Sequence, residues 1–287
     1  MECLKCGFAS EAQTAECFRC GVIFARYRGP DLATSDNATT GATTSAETMA
    51  LERQEWIQRL LALPAALVIA WVSVRIAPAA VRLLSMWIHE TGHAMTAWFC
   101  GYWAVPGPWF TPVGAQRSVM LSVFLVGVTG FGGFLAWQRQ RWLWVGIAAT
   151  LGALLIGGPL LLYSDQAQQL IIFGGDAGCF VLGAVLMSTF YAPHDSPIYQ
   201  NGLRWGFLGI GALSFMDAFA VWTGGLQSIP LGENENGLSD SSVLTDLYGW
   251  SFKILMDRYY RLAMLCFIAL GLLYVLGLVS ANRGFRR

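Results

Sequence analysis

The feature that most constrains this chain is a series of long apolar segments with few charges, which runs from about residue 60 to residue 280. Of the 287 residues, 55% are hydrophobic and only 13% are charged, whereas about a quarter of a soluble domain is charged. About 20 apolar residues suffice for a helix to cross the hydrocarbon of a bilayer, and lipid forces backbone groups to hydrogen-bond internally. The sequence therefore predicts an all-α, polytopic transmembrane helical bundle of about six to seven spans. The candidate spans lie near residues 60–79, 81–101, 118–137, 142–163, 169–191, 203–225 and 259–280.

Composition divides the chain into three regions. Residues 1–28 form a small Cys-rich module, and residues 29–50 are mostly Thr, Ser and Ala, with very few large apolar side chains. Such a stretch buries too little surface to offset the entropy of ordering, so it is predicted to be a flexible linker. Residues 51–287 form the multi-pass membrane domain. The formal net charge is zero, so no nucleic-acid partner is expected.

The N-terminal module carries two Cys-x-x-Cys pairs, formed by Cys3, Cys6, Cys17 and Cys20. Four thiolates with this spacing predict one Zn²⁺, whose binding supplies the folding energy that so small a core lacks. The pattern resembles a short zinc ribbon, with 17-CFRCGVIF-24 as the second knuckle. A ribbon could recruit a protein partner, regulate the membrane domain or act as a structural cap. The other cysteines stand alone in apolar segments and are predicted to be small buried side chains: Cys100, Cys179 and Cys266.

The second apolar segment contains the motif His89-Glu90-Thr91-Gly92-His93. Two histidines four residues apart project from the same face of a helix, so both can bind one metal ion. A glutamate after the first histidine is the general base of zinc peptidases with this spacing, acting on a zinc-bound water. The chain has only three His, and two of them lie in this pentapeptide. Ionisable residues inside a membrane segment are costly and mark functional sites, so the motif predicts a membrane zinc site.

The segment 87-WIHETGHA-94 resembles the active-site helix of the site-2 protease class of intramembrane zinc metalloproteases. The resemblance implies a zinc site within the bilayer, with His89 and His93 as ligands and Glu90 as base. It also implies a transmembrane peptide as substrate. In that class an Asp of a Leu-Asp-Gly motif supplies the third ligand, and this chain has no such motif.

A hydrolytic zinc site needs three protein ligands and one open position. Two Asp lie within apolar segments. Asp176 stands among small residues in 173-FGGDAG-178 and is the preferred candidate, whereas Asp217 is an alternate ligand or a partner of a His N–H. His194, between two prolines, is expected to be a loop residue. Asp240 and Asp246, in the acidic stretch 227–256, are expected to be solvated.

The basic flanks at residues 138–141 and 283–287 predict a cytoplasmic location for both, and the acidic stretch 227–256 then lies outside. Seven spans would place the N-terminus outside, whereas a thiolate zinc module favours the reducing cytoplasm. The two expectations agree if one segment is not a full crossing, with the 60–101 region as the candidate, or if one basic flank does not mark the cytoplasmic side. The Pro-rich stretch 105–112 forbids a continuous helix and predicts a surface loop or a loop that dips toward the site.

The leading functional prediction is an intramembrane zinc metalloprotease, a zinc metalloendopeptidase that hydrolyses peptide bonds of transmembrane or membrane-adjacent substrates. One alternative is a non-catalytic membrane protein that uses the same motif as a scaffold, a sensor or a metal-binding element. Another is a transporter with a polar midplane site, although no paired discontinuous helices are evident. The expected partners are the lipid bilayer, a membrane-spanning peptide and a protein partner of the zinc ribbon. The expected location is a prokaryotic plasma membrane with the ribbon in the cytoplasm, because residues 1–20 lack the apolar core of a signal peptide.

Overall fold

The computed structural model describes residues 37–194, 196–234 and 237–284. The predicted zinc ribbon of residues 1–28 lies outside this range. The chain divides into two compact units, Met1–Glu55 and Trp56–Arg287, and the candidate site lies wholly in the second. The first helix begins at Asn37, within residues 29–50, and the flexible linker of residues 29–50 stays a prediction.

The described residues are mostly helical. The helices are α1 (Asn37–Ile76), α2 (Pro78–Phe99), α3 (Val119–Gln138), α4 (Trp142–Leu161), α5 (Ser164–Ser188), α6 (Pro197–Gln200), α7 (Leu203–Thr223), α8 (Asp240–Ser242) and α9 (Phe252–Gly284). Two short antiparallel sheets are present, β1 (Tyr102–Ala104) with β2 (Val113–Arg117), and β3 (Glu233–Asn234) with β4 (Gly237–Leu238). Each sheet closes a loop between helices and has no further strand.

Among the described residues, six helical segments are long and apolar enough to cross a membrane: Met49–Ile76, Val119–Gln138, Trp142–Leu161, Ser164–Tyr191, Leu203–Thr223 and Phe252–Ser280. The predicted span 81–101, which corresponds to α2, is not among them. Charged and polar side chains such as Arg82, His89 and Glu90 interrupt its apolar surface. If all six segments cross a bilayer, the N-terminal flank of the first and the C-terminal flank of the last lie on the same side of it. The conflict between charge bias and cysteine chemistry therefore does not arise with this number of spans.

The six segments differ in how much protein surrounds them. About half of the most apolar stretch of α7 is buried (56%), against none of α3 and 6% of α4. Side chains that no protein covers are stable in lipid, so α3 and α4, which pack on each other, fit a lipid-facing hairpin. The core lies instead where α5 and α7 meet α2 and α9, around Phe180, Phe215 and Tyr259. The three isolated cysteines are free and buried, as predicted.

Part of the connection between α7 and α9 (residues 224–234 and 237–251) packs against the rest of the protein. Leu244 is fully buried, and Ser241 and Ser242 are 3% exposed. Serine hydroxyls satisfy part of its irregular backbone: Ser242 Oγ accepts from Gly232 N–H (2.8 Å), and Ser239 Oγ donates to Pro230 O (2.9 Å).

Candidate metal centre

The site begins with the close approach of α2 and α5. His93 contacts Ile171, and His89 contacts Asp176, so the two helices run antiparallel. Gly92 makes the approach possible, because a Cβ atom there would lie 2.8 Å from Gly178 Cα. Small residues at helix contacts allow such backbone proximity in membrane proteins. The motif therefore faces α5 rather than lipid.

A second glycine leaves room for both imidazoles. A Cβ on Gly175 would lie 2.5 Å from His93 Nε2 and 2.6 Å from His89 Nε2. Any side chain at this position would therefore occupy the space into which the two rings project. The rings are perpendicular, with centroids 4.7 Å apart.

The Nδ1 atom of each imidazole is held by an acceptor on α5. His89 Nδ1 lies 2.9 Å from Asp176 Oδ1, and His93 Nδ1 lies 2.8 Å from Ile171 O. A carboxylate and a carbonyl oxygen accept hydrogen bonds, so each Nδ1 carries a hydrogen, and in the neutral form of the ring each Nε2 then presents a lone pair. Such contacts fix the tautomer and the orientation of metal-binding histidines.

The two Nε2 atoms converge with one carboxylate oxygen. His89 Nε2 and His93 Nε2 are 3.1 Å apart, and Asp240 Oδ2 lies 3.0 Å from the first and 3.1 Å from the second. Ligands 2.0–2.1 Å from a tetrahedral Zn²⁺ are separated by about 3.3 Å, so this triangle nearly matches the spacing of three ligands. One cation placed between the three atoms would satisfy all three contacts at once. The donor set therefore fits a metal ion.

Asp240 reaches the imidazoles from the connection between α7 and α9. It opens α8 directly after Ser239, whose Oγ accepts from Ser242 N–H (3.3 Å) as the helix cap. Burial alone would raise the pKa of the Asp240 carboxyl, but the adjacent His93 and His89 imidazoles hold this pKa well below its usual range. The expectation that Asp240 is solvated therefore holds only in part, because its side chain is 36% exposed while its carboxylate contacts both histidines.

Glu90 is buried beside this triangle and contacts the Pro-rich loop. Thr111 Oγ1 donates to Glu90 Oε2 (2.7 Å) and lies 2.9 Å from the main-chain oxygen of Glu90. Thr111 is itself buried, at the end of the stretch 105–112 that joins β1 to β2. Of the two expectations for this stretch, the loop that reaches the site agrees with these contacts.

The other predicted residues take different positions. Asp176 turns both oxygens away from the Nε2 pair, since Oδ1 accepts from His89 and Oδ2 accepts from Trp222 Nε1 (2.8 Å). Asp217 accepts from the Ser85 hydroxyl, and its Oδ2 lies 3.1 Å from Arg82 Nε. His194 lies 3.4 Å from Arg59, between the helices, as the sequence predicted.

A second set of donors shares His89. His89, Asp176 and Cys179 also place one donor atom each within 4.8 Å of one another. This set uses Nδ1 of His89 and leaves out His93. The tighter triangle of His89, His93 and Asp240 is therefore the better candidate for a metal ion.

A cavity of about 450 Å³ opens next to the triangle. Its walls include Glu90, His93 and Asp240, together with Trp109 and Phe110 of the Pro-rich loop and Leu238 of the α7–α9 connection. Glu90 and the two imidazoles thus line one cavity.

Sequence reasoning missed two residues of the site, Asp240 and Thr111. Neither lies in a motif or at a fixed spacing from the histidines, because both come from loops distant in sequence. The one available signal for Asp240 was its position after a serine, at the start of a helical turn.

No protein-family model matches the chain, and neither the curated proteins nor the solved structures contain a significant match.

Proposed function

We propose that the protein is a zinc metallopeptidase of the membrane that hydrolyses peptide bonds of transmembrane or membrane-adjacent substrates. The observation that supports this most directly is the triangle of His89 Nε2, His93 Nε2 and Asp240 Oδ2 with Glu90 beside it. Two His and one carboxylate form a hydrolytic zinc donor set that leaves a fourth position open. In this proposal Asp240 is the third ligand, whereas Asp176 orients His89 through Nδ1.

When bound, Zn²⁺ would supply Lewis-acid chemistry, lowering the pKa of a water and polarising a carbonyl. Glu90 is the group that moves the proton. Thr111 holds Glu90 Oε2, so Oε1 is left to take the proton from the attacking water and to pass it to the leaving amine.

The position of the site supports a membrane-embedded substrate. Asp176 lies at the midpoint of α5 (Ser164–Ser188), one of the six apolar segments, and it contacts His89 directly. A peptide that reaches this depth must be at least locally unwound, because a helix hides its carbonyls in hydrogen bonds. The exposed aromatic residues Trp109 and Phe110 at the cavity wall offer an apolar surface for such a segment.

The N-terminal module completes the proposal. In this proposal Cys3, Cys6, Cys17 and Cys20 bind a second Zn²⁺ in a cytoplasmic ribbon that recruits a protein partner, regulates the membrane domain or acts as a structural cap. This part depends on the Cys-x-x-Cys spacing alone.

The decisive experiment combines metal analysis with a cleavage assay. Glu90→Gln is expected to retain both zinc ions and to lose hydrolysis by about 100- to 10,000-fold, the usual contribution of a general base. His93→Ala is expected to lose only the zinc of the membrane site. Zinc content per protein by elemental mass spectrometry and product formation by peptide mass spectrometry check the two expectations.

Equal cleavage by the wild type and Glu90→Gln would reject the peptidase. Retention of zinc without any cleavage by the wild type would favour the scaffold or sensor.

A further inference from the structure

Arg82 lies on the same face of α2 as His89, seven residues before it. Seven residues are nearly two helical turns, or about 10 Å along the axis. Both side chains line the cavity of the candidate metal centre. The cavity is therefore lined by a cationic side chain as well as by His89, His93 and Asp240.

The contacts of Arg82 leave most of its hydrogen-bonding capacity unused. Its Nε lies 3.1 Å from Asp217 Oδ2, and the side chain is 41% exposed. Its amino groups donate no hydrogen bond to any side chain or backbone group in residues 49–194, 196–233 and 237–280. A guanidinium has five N–H donors in a planar fork, and this geometry matches a carboxylate in two parallel hydrogen bonds.

Asp217 holds the guanidinium in place. Its side chain is only 9% exposed and also accepts from the Ser85 hydroxyl, one turn along α2 from Arg82. Asp217 thus offsets the charge of Arg82, while the side chain remains open to the cavity. An arginine within the membrane domain that keeps free donors facing a cavity is expected to serve a ligand.

We infer that Arg82 is a substrate-binding residue that accepts a peptide carboxylate about three residues from the cleaved bond. The number of residues follows from the separation of His89 and Arg82, which is about 10 Å along the axis of α2. An extended peptide rises about 3.3 Å per residue and covers this length in three residues. The carboxylate is either the free C-terminus of the substrate or an Asp or Glu side chain. The choice of a peptide as ligand rests on the proposed function.

The test measures binding, so that it does not depend on turnover. Zinc-loaded Glu90→Gln protein in nanodiscs of zwitterionic lipid is titrated with four fluorescent synthetic peptides of identical apolar sequence. Two differ only in a free or an amidated C-terminus, and two differ only in Glu or Gln three residues from the central bond. Fluorescence anisotropy is expected to show about 10- to 100-fold tighter binding of one or both carboxylate peptides than of their neutral partners, as for a hydrogen-bonded charge pair. The pair that shows the preference identifies the source of the carboxylate.

Two variants test whether Arg82 causes the preference. Adding Arg82→Gln together with Asp217→Asn removes both charges without leaving a buried carboxylate unpaired, and it is expected to abolish the preference while zinc is retained. Arg82→Lys keeps the ion pair with Asp217 and loses the planar fork, so the preference is expected to fall at least about threefold. If the double variant does not fold, the change in carboxylate preference of Arg82→Lys alone tests the role of Arg82. Equal binding of matched peptides by the parent protein, or an unchanged preference in either variant, overturns the inference.

The outcome separates this inference from the proposed function. Cleavage by the wild type without a carboxylate preference leaves the peptidase and rejects the role of Arg82. An Arg82-dependent preference without cleavage of any peptide rejects the peptidase and leaves the carboxylate site.

Discussion

The helix pair α2–α5 and the connection between α7 and α9 each bring one carboxylate to the same imidazoles. Asp176, on α5, contacts Nδ1 of His89, whereas Asp240, in the connection, contacts Nε2 of both histidines. The helix pair is rigid and glycine-packed, and it sets the direction in which the rings point. The α7–α9 connection is irregular, and it provides the Asp240 oxygen toward which the Nε2 atoms of both rings point. Two acidic residues near one histidine can therefore have opposite roles, decided by which ring nitrogen each one faces.

The largest effect is expected from removing the carboxylate that the α7–α9 connection contributes. Asp240→Ala is expected to lose the membrane-site zinc, because two imidazoles alone leave the donor set incomplete. The loss of zinc affinity should exceed the 10- to 100-fold typical of an outer partner. Asp246→Ala is the matched control, since Asp246 belongs to the same connection and is exposed. Zinc titration with a competing chelator measures both. Full affinity in Asp240→Ala would contradict the assignment of Asp240 as ligand.

The second effect tests the space that the helix pair leaves for the rings. Gly175→Ala is expected to displace both imidazoles and to reduce zinc binding, because its Cβ would lie 2.5 Å from His93 Nε2. Gly209→Ala serves as control, because nothing lies within 4 Å of a Cβ there. Zinc content and thermal unfolding of the two variants should be compared. Normal zinc content in a folded Gly175→Ala protein would mean that the rings do not meet at this point.

A smaller effect sharpens the contrast between the two carboxylates. Asp176→Asn keeps an oxygen that can accept from His89 Nδ1 but removes the charge. Zinc affinity is expected to fall by about 10- to 100-fold, the usual effect of altering a partner of a metal-binding histidine. The same chelator titration checks this value against Asp240→Ala. A larger loss in Asp176→Asn than in Asp240→Ala would exchange the two roles.

The smallest expected effect concerns Glu90 and leaves the metal in place. Thr111→Val removes the hydroxyl that donates to Glu90 Oε2 and preserves the shape of the side chain. Turnover is expected to fall by about 10-fold, because a hydrogen bond to a charged group contributes about 1.5 kcal/mol or more. Thr111→Ser should restore turnover, and both variants should retain zinc. An unchanged rate in Thr111→Val would show that the loop does not position the base.

Local patterns were sufficient for much of the fold. Apolar segment length predicted the helical membrane domain, because the solvent, not the partner helix, decides whether 20 apolar residues form a spanning helix. The same criterion overcounted at residues 81–101. There α2 is long enough for a span, but its polar and charged side chains leave it outside the six apolar segments, and it packs against α5.

The candidate site also has one part that the sequence determined and one part that only the tertiary structure decided. The spacing of His89, Glu90 and His93 by itself determined that two imidazoles share one helix face, since four residues make about one helical turn. Tertiary structure alone decided which carboxylate joins them, because the contact between Asp240 and His89 spans 151 positions of the chain and leaves no local periodicity. A metal site closed by a loop is fixed by the path of the backbone, and that path depends on the packing of the whole membrane domain.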